Sequence, residues 1–290
     1  MKRKPWINPL LVEKLTARGM GDLNPVGCTS TFVDHPNVQL RRRNCIELAF
    51  VFEHRFAFSY WIKWKQEQLD RQKVVDRDFQ APDLVTWDWH DDVGGACDFV
   101  ADELELLDQR NENEVGFFCW AGLRAINDGH IAPAVWLNAI GSVYVLQKQM
   151  TADECRDQNY QLSNRYGKNV NVKFFSSMKG LHTALLSRPP RTRTIWDVDL
   201  DYFVTKTSDG GKGDAKLIPP SRVKEQTSCH NPVVSLILEN VQGITIALEP
   251  EYTGGLARSL LLYKTWEGTL FTRSVFDDNC QWKLDIAKSY

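Results

Sequence analysis

Two apolar runs of this chain, residues 84–87 and 194–196, stop in aspartate-rich segments: Asp88-Trp89-His90-Asp91-Asp92 and Asp197-Val198-Asp199-Leu200-Asp201. The runs are rich in β-branched and aromatic residues and read as strands. Isolated charges cannot follow a strand into an apolar core, so both segments belong at strand ends, where parallel sheets build their sites. Residues i, i+2 and i+4 of an extended segment share a face. Asp88, His90 and Asp92 therefore converge, as do Asp197 and Asp199. Carboxylates gathered this closely need cations to neutralise them, so the pattern predicts a metal site, with room for two ions. Its donors are oxygen and imidazole, a set that suits manganese, magnesium, iron or zinc, and the excess of oxygen favours manganese.

The remaining sequence supplies alternating elements around these two segments. Residues 45–52 read as a strand and 57–71 as a helix, with His54 at their junction. Next come a strand over 83–87, an acidic helix over 97–109, a strand over 115–118 and a helix over 120–127. Apolar segments follow at 131–137 and 141–147, then a helix over 151–165 and a strand over 170–175. A Pro-rich connection at 188–190 leads into the acidic strand 194–199. Three glycines among mixed charges mark 207–214 as a loop. A helix over 221–240, a strand over 244–248 and a helix over 256–266 complete the order. Strands alternating with helices imply an α/β fold in three layers, a mainly parallel central sheet flanked by helices. The whole chain, 1–290, reads as a single domain, with 1–44 as an irregular arm packed on it.

Composition removes several function classes. Lys+Arg number 35 against 37 Asp+Glu, so there is no basic surplus to recruit nucleic acid, and the run Arg41-Arg42-Arg43 reads as a solvated edge. Apolar stretches fall short of the roughly 20 residues that span a bilayer, and the basic start of the chain lacks the apolar core of a secretory signal. A cytoplasmic location is expected. Cysteines stand at 28, 45, 97, 119, 155, 229 and 280 without a C-x-x-C pair, which argues against a disulfide framework and against thiolate-bound zinc.

His54, the D-x-H-x-D at 88–92 and the D-V-D at 197–199, each at a strand end and in this order, resemble the ureohydrolase superfamily of arginase and agmatinase. The strings Phe52-Glu53-His54, Trp87-Asp88-Trp89-His90-Asp91-Asp92, Asp197-Val198-Asp199-Leu200-Asp201-Tyr202-Phe203 and Leu248-Glu249-Pro250-Glu251-Tyr252 look most like the divergent arginase-related family that includes the peptide arginases. Those enzymes convert arginine side chains in ribosomally made peptides to ornithine. The resemblance spans residues of about 45 to 270. Two departures stand out: Val51-Phe52-Glu53-His54 replaces the glycine-rich string around the arginase histidine, and D-V-D-L-D-Y-F is one residue shorter than D-V-D-G-L-D-P. The shortening displaces Asp201, which is expected to face substrate or to support the ligands.

The resemblance implies an arginase-like three-layer fold and two manganese ions per chain, activating a bridging hydroxide. Asp88 and Asp197 would bridge the ions, His54 and Asp92 would complete one, and His90 and Asp199 the other. Asp92 would also take the proton from the attacking hydroxide, and His130, in Asp128-Gly129-His130-Ile131-Ala132-Pro133, would shuttle protons. Glu249 would pair with the guanidinium, with Glu251, two residues on, competing for that role. Trp87, Trp89 and Trp196 flank the ligands and could wall a guanidinium channel or shield the metals, with core packing the favoured reading for Trp87 and Trp196. An arginine-containing precursor peptide is the expected partner, and the oligomeric state is open. Small residues after the D-x-H-x-D, Val93-Gly94-Gly95-Ala96, suggest a wide mouth without a reader for an α-carboxylate. The alternatives are a small-molecule ureohydrolase of arginase or agmatinase type, a deacetylase-like metal hydrolase and a non-catalytic metal-binding protein.

Overall fold

The computed structural model describes residues 28–41, 45–93, 97–123, 129–148, 159–206 and 215–283. Its strands are β1 (Thr29–Asp34), β2 (Cys45–Val51), β3 (Asp83–Asp88), β4 (Val143–Gln147), β5 (Tyr160–Ser163), β6 (Asn169–Phe175), β7 (Thr194–Asp199), β8 (Val204–Lys206), β9 (Lys216–Leu217) and β10 (Val241–Ala247). Eight of them form one sheet in the order β1-β2-β10-β7-β3-β4-β6-β5, and β8 and β9 pair separately. From β2 to β6 every neighbouring pair is parallel, and the two edge strands are antiparallel.

The inner strands are buried on both faces, so their residues divide by parity between two cores. Val85, Trp87, Trp196, Val198, Ile244 and Ile246 pack on one face, with the helices Met178–Leu186, Pro232–Glu239 and Leu256–Leu270. Leu84, Val143, Val145, Ile195 and Ala247 pack on the other, with the helices Ala57–Gln72, Glu112–Ala121 and Ile131–Trp136. The three-layer α/β arrangement expected from the alternation is the one observed. Trp87 and Trp196 are fully buried in the first core, with ring centroids 5.2 Å apart. That is the opposite face from the aspartates, so neither ring walls a channel. Among the described residues no helix is long and apolar enough to cross a membrane.

The helix Ala57–Gln72 presents Phe58, Trp61, Ile62, Trp64 and Leu69 to the sheet, the stripe that a period of 3.6 residues produces. It ends where Lys73 turns left-handed, at φ 54°, a common helix stop. Buried Glu47 of β2 ties the layers together: its carboxylate accepts from Ser30 of β1 at 2.6 Å, Lys63 at 2.7 Å and Trp64 Nε1 at 2.7 Å.

Several elements differ from the sequence reading. The expected irregular arm contains a regular strand, because residues 29–34 pair antiparallel with β2. The expected strand over 115–118 lies inside the helix Glu112–Ala121. Asn111 caps it by accepting from the N–H groups of Asn113 and Glu114, and Glu112 and Glu114 suit its positive end. A four-residue apolar run is too short to reveal its own period. The expected helix over 151–165 gives way at 160–163 to edge strand β5, and 151–158 lie outside the described residues. The expected helix over 221–240 is two, Pro220–Thr227 and Pro232–Glu239. Pro232 cannot donate inside a helix but fits the first turn of one, and Asn231 caps it by accepting from the Val233 N–H at 3.0 Å. Of the expected helix over 120–127, residues 120 and 121 end the preceding helix, and 124–128, like the loop 207–214, lie outside the described residues.

Gly243 of β10 lies directly beneath the Trp64 ring, where an added Cβ would come within 2.6 Å of the ring carbons. Gly243→Ala is therefore expected to lower stability by about 1–3 kcal/mol, the usual range for overpacking. The check is a lower midpoint of denaturant unfolding with an unchanged m-value.

Candidate metal centre

Strand register decides which aspartates meet. Thr86 of β3 and Thr245 of β10 lie level with Asp197 of β7, one on each side. Asp197 is therefore one pleat inside the sheet. One step nearer the carboxyl ends, β3 finishes with Asp88 and β7 with Asp199. The chain then bends through the 3₁₀ turn Leu200–Phe203, where Asp199 Oδ1 accepts the Asp201 N–H at 2.8 Å. The bend carries Asp201 back toward β3, and its Oδ1 accepts the Trp89 N–H at 3.1 Å. Asp88 makes the matching turn by accepting the His90 N–H at 2.6 Å.

His54 enters from beyond β2, on the 3₁₀ turn His54–Phe56. The imidazole is fully buried. Nδ1 lies 2.6 Å from Asp92 Oδ2 and 3.2 Å from an oxygen of each of Asp88 and Asp199. Nε2 points the other way, 2.7 Å from Asp197 Oδ2. Donor atoms converge on overlapping points: His54, Asp88, Asp92 and Asp199 around one, and Asp88, His90 and Asp201 around another. Asp88 belongs to both groups. A third overlapping group joins His54 and Asp92 to His130, whose Nδ1 is 3.9 Å from Asp92 Oδ2 and whose ring meets that of His54 edge-on at 4.4 Å.

Electrostatics fit a cation at these points. Burial, followed by the neighbouring carboxylates, pushes Asp92 and Asp199 well above the ordinary carboxylate range, and Asp201 upward as well. Burial acts the same way on Asp88, but the adjoining His54 ring outweighs it and holds that carboxyl low. Burial works against charge on His90, yet Asp201 and Asp88 raise it to about 9. His54 Nδ1, Asp88 Oδ2 and Asp201 Oδ2 are buried with only one another's rings and carboxylates beside them: His54 Nδ1 lies 3.2 Å from Asp88 Oδ2, and His90 Nδ1 3.2 Å from Asp201 Oδ2. Oxygen and imidazole donors crowded this closely in a dry interior match the donor set of a divalent ion.

Asp197 is placed differently from the sequence expectation of a bridging ligand. It lies outside all three groups, because the strand continues for two residues past it and both its oxygens already accept hydrogen bonds. Oδ2 takes His54 Nε2 and the Thr86 hydroxyl at 2.7 Å, and Oδ1 takes the Thr245 hydroxyl. Asp201 moves the other way, into the group with Asp88 and His90. The sequence offered one signal for this: Asp199 and Asp201 share the i, i+2 spacing of Asp197 and Asp199. What it lacked was the strand end.

Glu249 and Glu251 also separate. β10 ends at Ala247, so the two-residue alternation stops before either. Glu249 is 2% exposed, left-handed at φ 42°, and accepts the backbone N–H of His54. Burial raises its carboxyl to about 8. Glu251 is exposed on the helical turn Pro250–Thr253, and the next residue, Tyr252, sets its ring edge-on against half-buried His90 at 5.4 Å. Lys148, unnoticed in the sequence, donates to the carbonyls of Tyr202 at 2.9 Å and Val204 at 2.5 Å, fixing the turn that carries Asp201.

No family model matches the chain, and no curated protein sequence matches it. Among solved structures it is similar to proclavaminate amidino hydrolase from Streptomyces clavuligerus, at 11% identity and a TM-score of 0.40, over 76% of this chain and 62% of that one. The chain thus spans less than two thirds of that neighbour's length.

A fold that holds mutually repelling carboxylates out of water should gain stability from a divalent ion. Mn²⁺ at a free concentration roughly a hundredfold above its dissociation constant is expected to add about 2.7 kcal/mol for each occupied site. Thermal unfolding with Mn²⁺ and with chelator checks this, and Asp88→Asn should remove most of the difference.

Proposed function

We propose that the chain is a binuclear manganese hydrolase that cleaves a guanidinium carbon–nitrogen bond, converting arginine within a peptide to ornithine and releasing urea. The observation that carries this reading is the convergence of His54, Asp88, Asp92, Asp199, His90 and Asp201 at the ends of β2, β3 and β7, in the motif order that resembles the arginase-related family. In this reading His54, Asp88, Asp92 and Asp199 hold one ion, and Asp88, His90 and Asp201 the other. When bound, two such ions supply a water acidic enough to attack at neutral pH.

The protein groups have separable tasks. Glu249 offers a buried carboxyl beside the donor groups, and a guanidinium arriving there restores its charge and can pair with it in two hydrogen bonds. Water oxygen bonds to the guanidinium carbon, and the bond to the side-chain nitrogen breaks. Asp92 takes the water's proton and returns it to the departing amine, so the products are urea and a primary amine. His130, whose Nδ1 lies 3.9 Å from Asp92 Oδ2, is placed to pass that proton on.

The peptide substrate is supported by the state of the nearby cations. Arg55 is paired with Glu53 at 2.7 Å and donates to the Trp120 carbonyl, and Lys148 is held by two carbonyls. Both are already engaged by protein groups, which weighs against their reading the α-carboxylate of a free amino acid. Residues 94–96, which the sequence places beside the mouth, and the loop 207–214 lie outside the described residues.

Arginine-containing peptides incubated with Mn²⁺-loaded protein should lose the mass of the guanidine carbon, its two terminal nitrogens and two hydrogens per arginine, as read by mass spectrometry, while free arginine turns over poorly. Unchanged peptides with urea from free arginine or agmatine would replace this reading with the small-molecule one. His130→Ala should keep both ions yet slow turnover roughly 10²-fold or more. Metal analysis of that variant alongside its rate separates a proton carrier from a ligand.

A further inference from the structure

We propose that Asp197 is a positioning residue: its carboxylate fixes the His54 ring with hydrogen on Nε2, so that the Nδ1 lone pair faces Asp88, Asp92 and Asp199. The proposal rests on the metal reading above and assigns to Asp197 a task other than ligation. Three donors converge on this one fully buried carboxylate: His54 Nε2, the Thr86 hydroxyl and the Thr245 hydroxyl. They come from three elements, the turn after β2, β3 and β10, so the carboxylate is oriented before any metal arrives. Trp61 Nε1 donates to the Thr245 hydroxyl at 3.4 Å, which leaves that hydroxyl's own hydrogen for Asp197. A carboxylate can accept all three bonds. An amide offers one oxygen and a donor, so Asn at this position would leave at least one of the three donors unmatched. A histidine ligand whose far nitrogen is anchored to a carboxylate has its tautomer and ring plane set in advance, and losing such a partner commonly weakens metal binding about 10–100-fold.

The test is equilibrium dialysis of the full chain against Mn²⁺, with metal counted by elemental analysis, for the unsubstituted protein, Asp197→Asn, Asp199→Asn and Thr245→Val. We expect Asp197→Asn to saturate at the same number of ions as the unsubstituted protein but with affinity about 10–100-fold weaker, whereas Asp199→Asn should saturate at fewer. Long-range ¹H–¹⁵N spectra of the Zn²⁺-loaded protein give the second readout. His54 should carry its hydrogen on Nε2, and in Asp197→Asn that resonance should move upfield and exchange faster with water. Loss of an ion at saturating Mn²⁺ in Asp197→Asn would make Asp197 a ligand and overturn the proposal. Unchanged affinity with an unchanged Nε2–H resonance would also overturn it. If Asp197→Asn does not fold, Thr245→Val carries the test: the same Nε2–H resonance should shift and affinity fall, and no change in either sinks the idea. Failure of the unsubstituted protein to bind either ion would instead bring down the metal reading itself, an outcome seen before any variant is compared.

Discussion

Carboxylates held out of water around a single imidazole are the demand that the rest of the molecule answers. Each of Asp88, Asp92, Asp199 and Asp201 would be cheaper to keep in solvent, and together they repel one another. The sheet brings them together because β3 and β7 are adjacent and end at the same height. The threonines beside Asp197, the backbone N–H groups offered to Asp88, Asp199 and Asp201, and the helices covering that face make the arrangement rigid enough to survive its own repulsion. Asp92 and Glu249 both have left-handed backbones, at φ 48° and 42°, a conformation that non-glycine residues hold only where the surroundings impose it.

The three-layer fold was legible because its inner strands are short apolar runs separated by amphipathic stretches, and alternation of the two kinds admits few topologies. What the sequence concealed lay where local preference was weak or overruled. Val115-Gly116-Phe117-Phe118 favours a strand by composition, yet the Asn111 cap and the acidic first turn win because the helix can bury Val115, Phe118 and Cys119 together. The strand over 160–163 depends on β6, a partner later in the chain. Pro232 was visible, but the apolar run after it masked the break it imposes.

At the site, the residue types and their order were readable, and the depth of each was not. Asp88 lies with Asp92 in one donor group and with His90 in the other, even though β3 ends at Asp88, so the two-residue spacing leads to two points and not to one. For the second motif the spacing fits two choices, Asp197 with Asp199 or Asp199 with Asp201. Only the partner strands separate them, since Thr86 and Thr245 lie level with Asp197 and hydrogen-bond to both its oxygens.

The alternation of aspartate at 197, 199 and 201, through the end of β7 into the turn after it, makes this strand ambiguous to its own neighbours. Sliding it by one residue would turn Trp196 toward the imidazole and be rejected at once, but sliding it by two preserves which side chains face which way and merely passes each aspartate its neighbour's position. The charged face cannot detect that error. The opposite face can: a two-residue slip would withdraw the Trp196 indole from between Trp87 and Trp266, its neighbours at 5.2 and 5.7 Å, and bring the smaller Val198 into the gap. A tryptophan whose indole lies on the face opposite the aspartates thereby acts as the alignment mark for all of them.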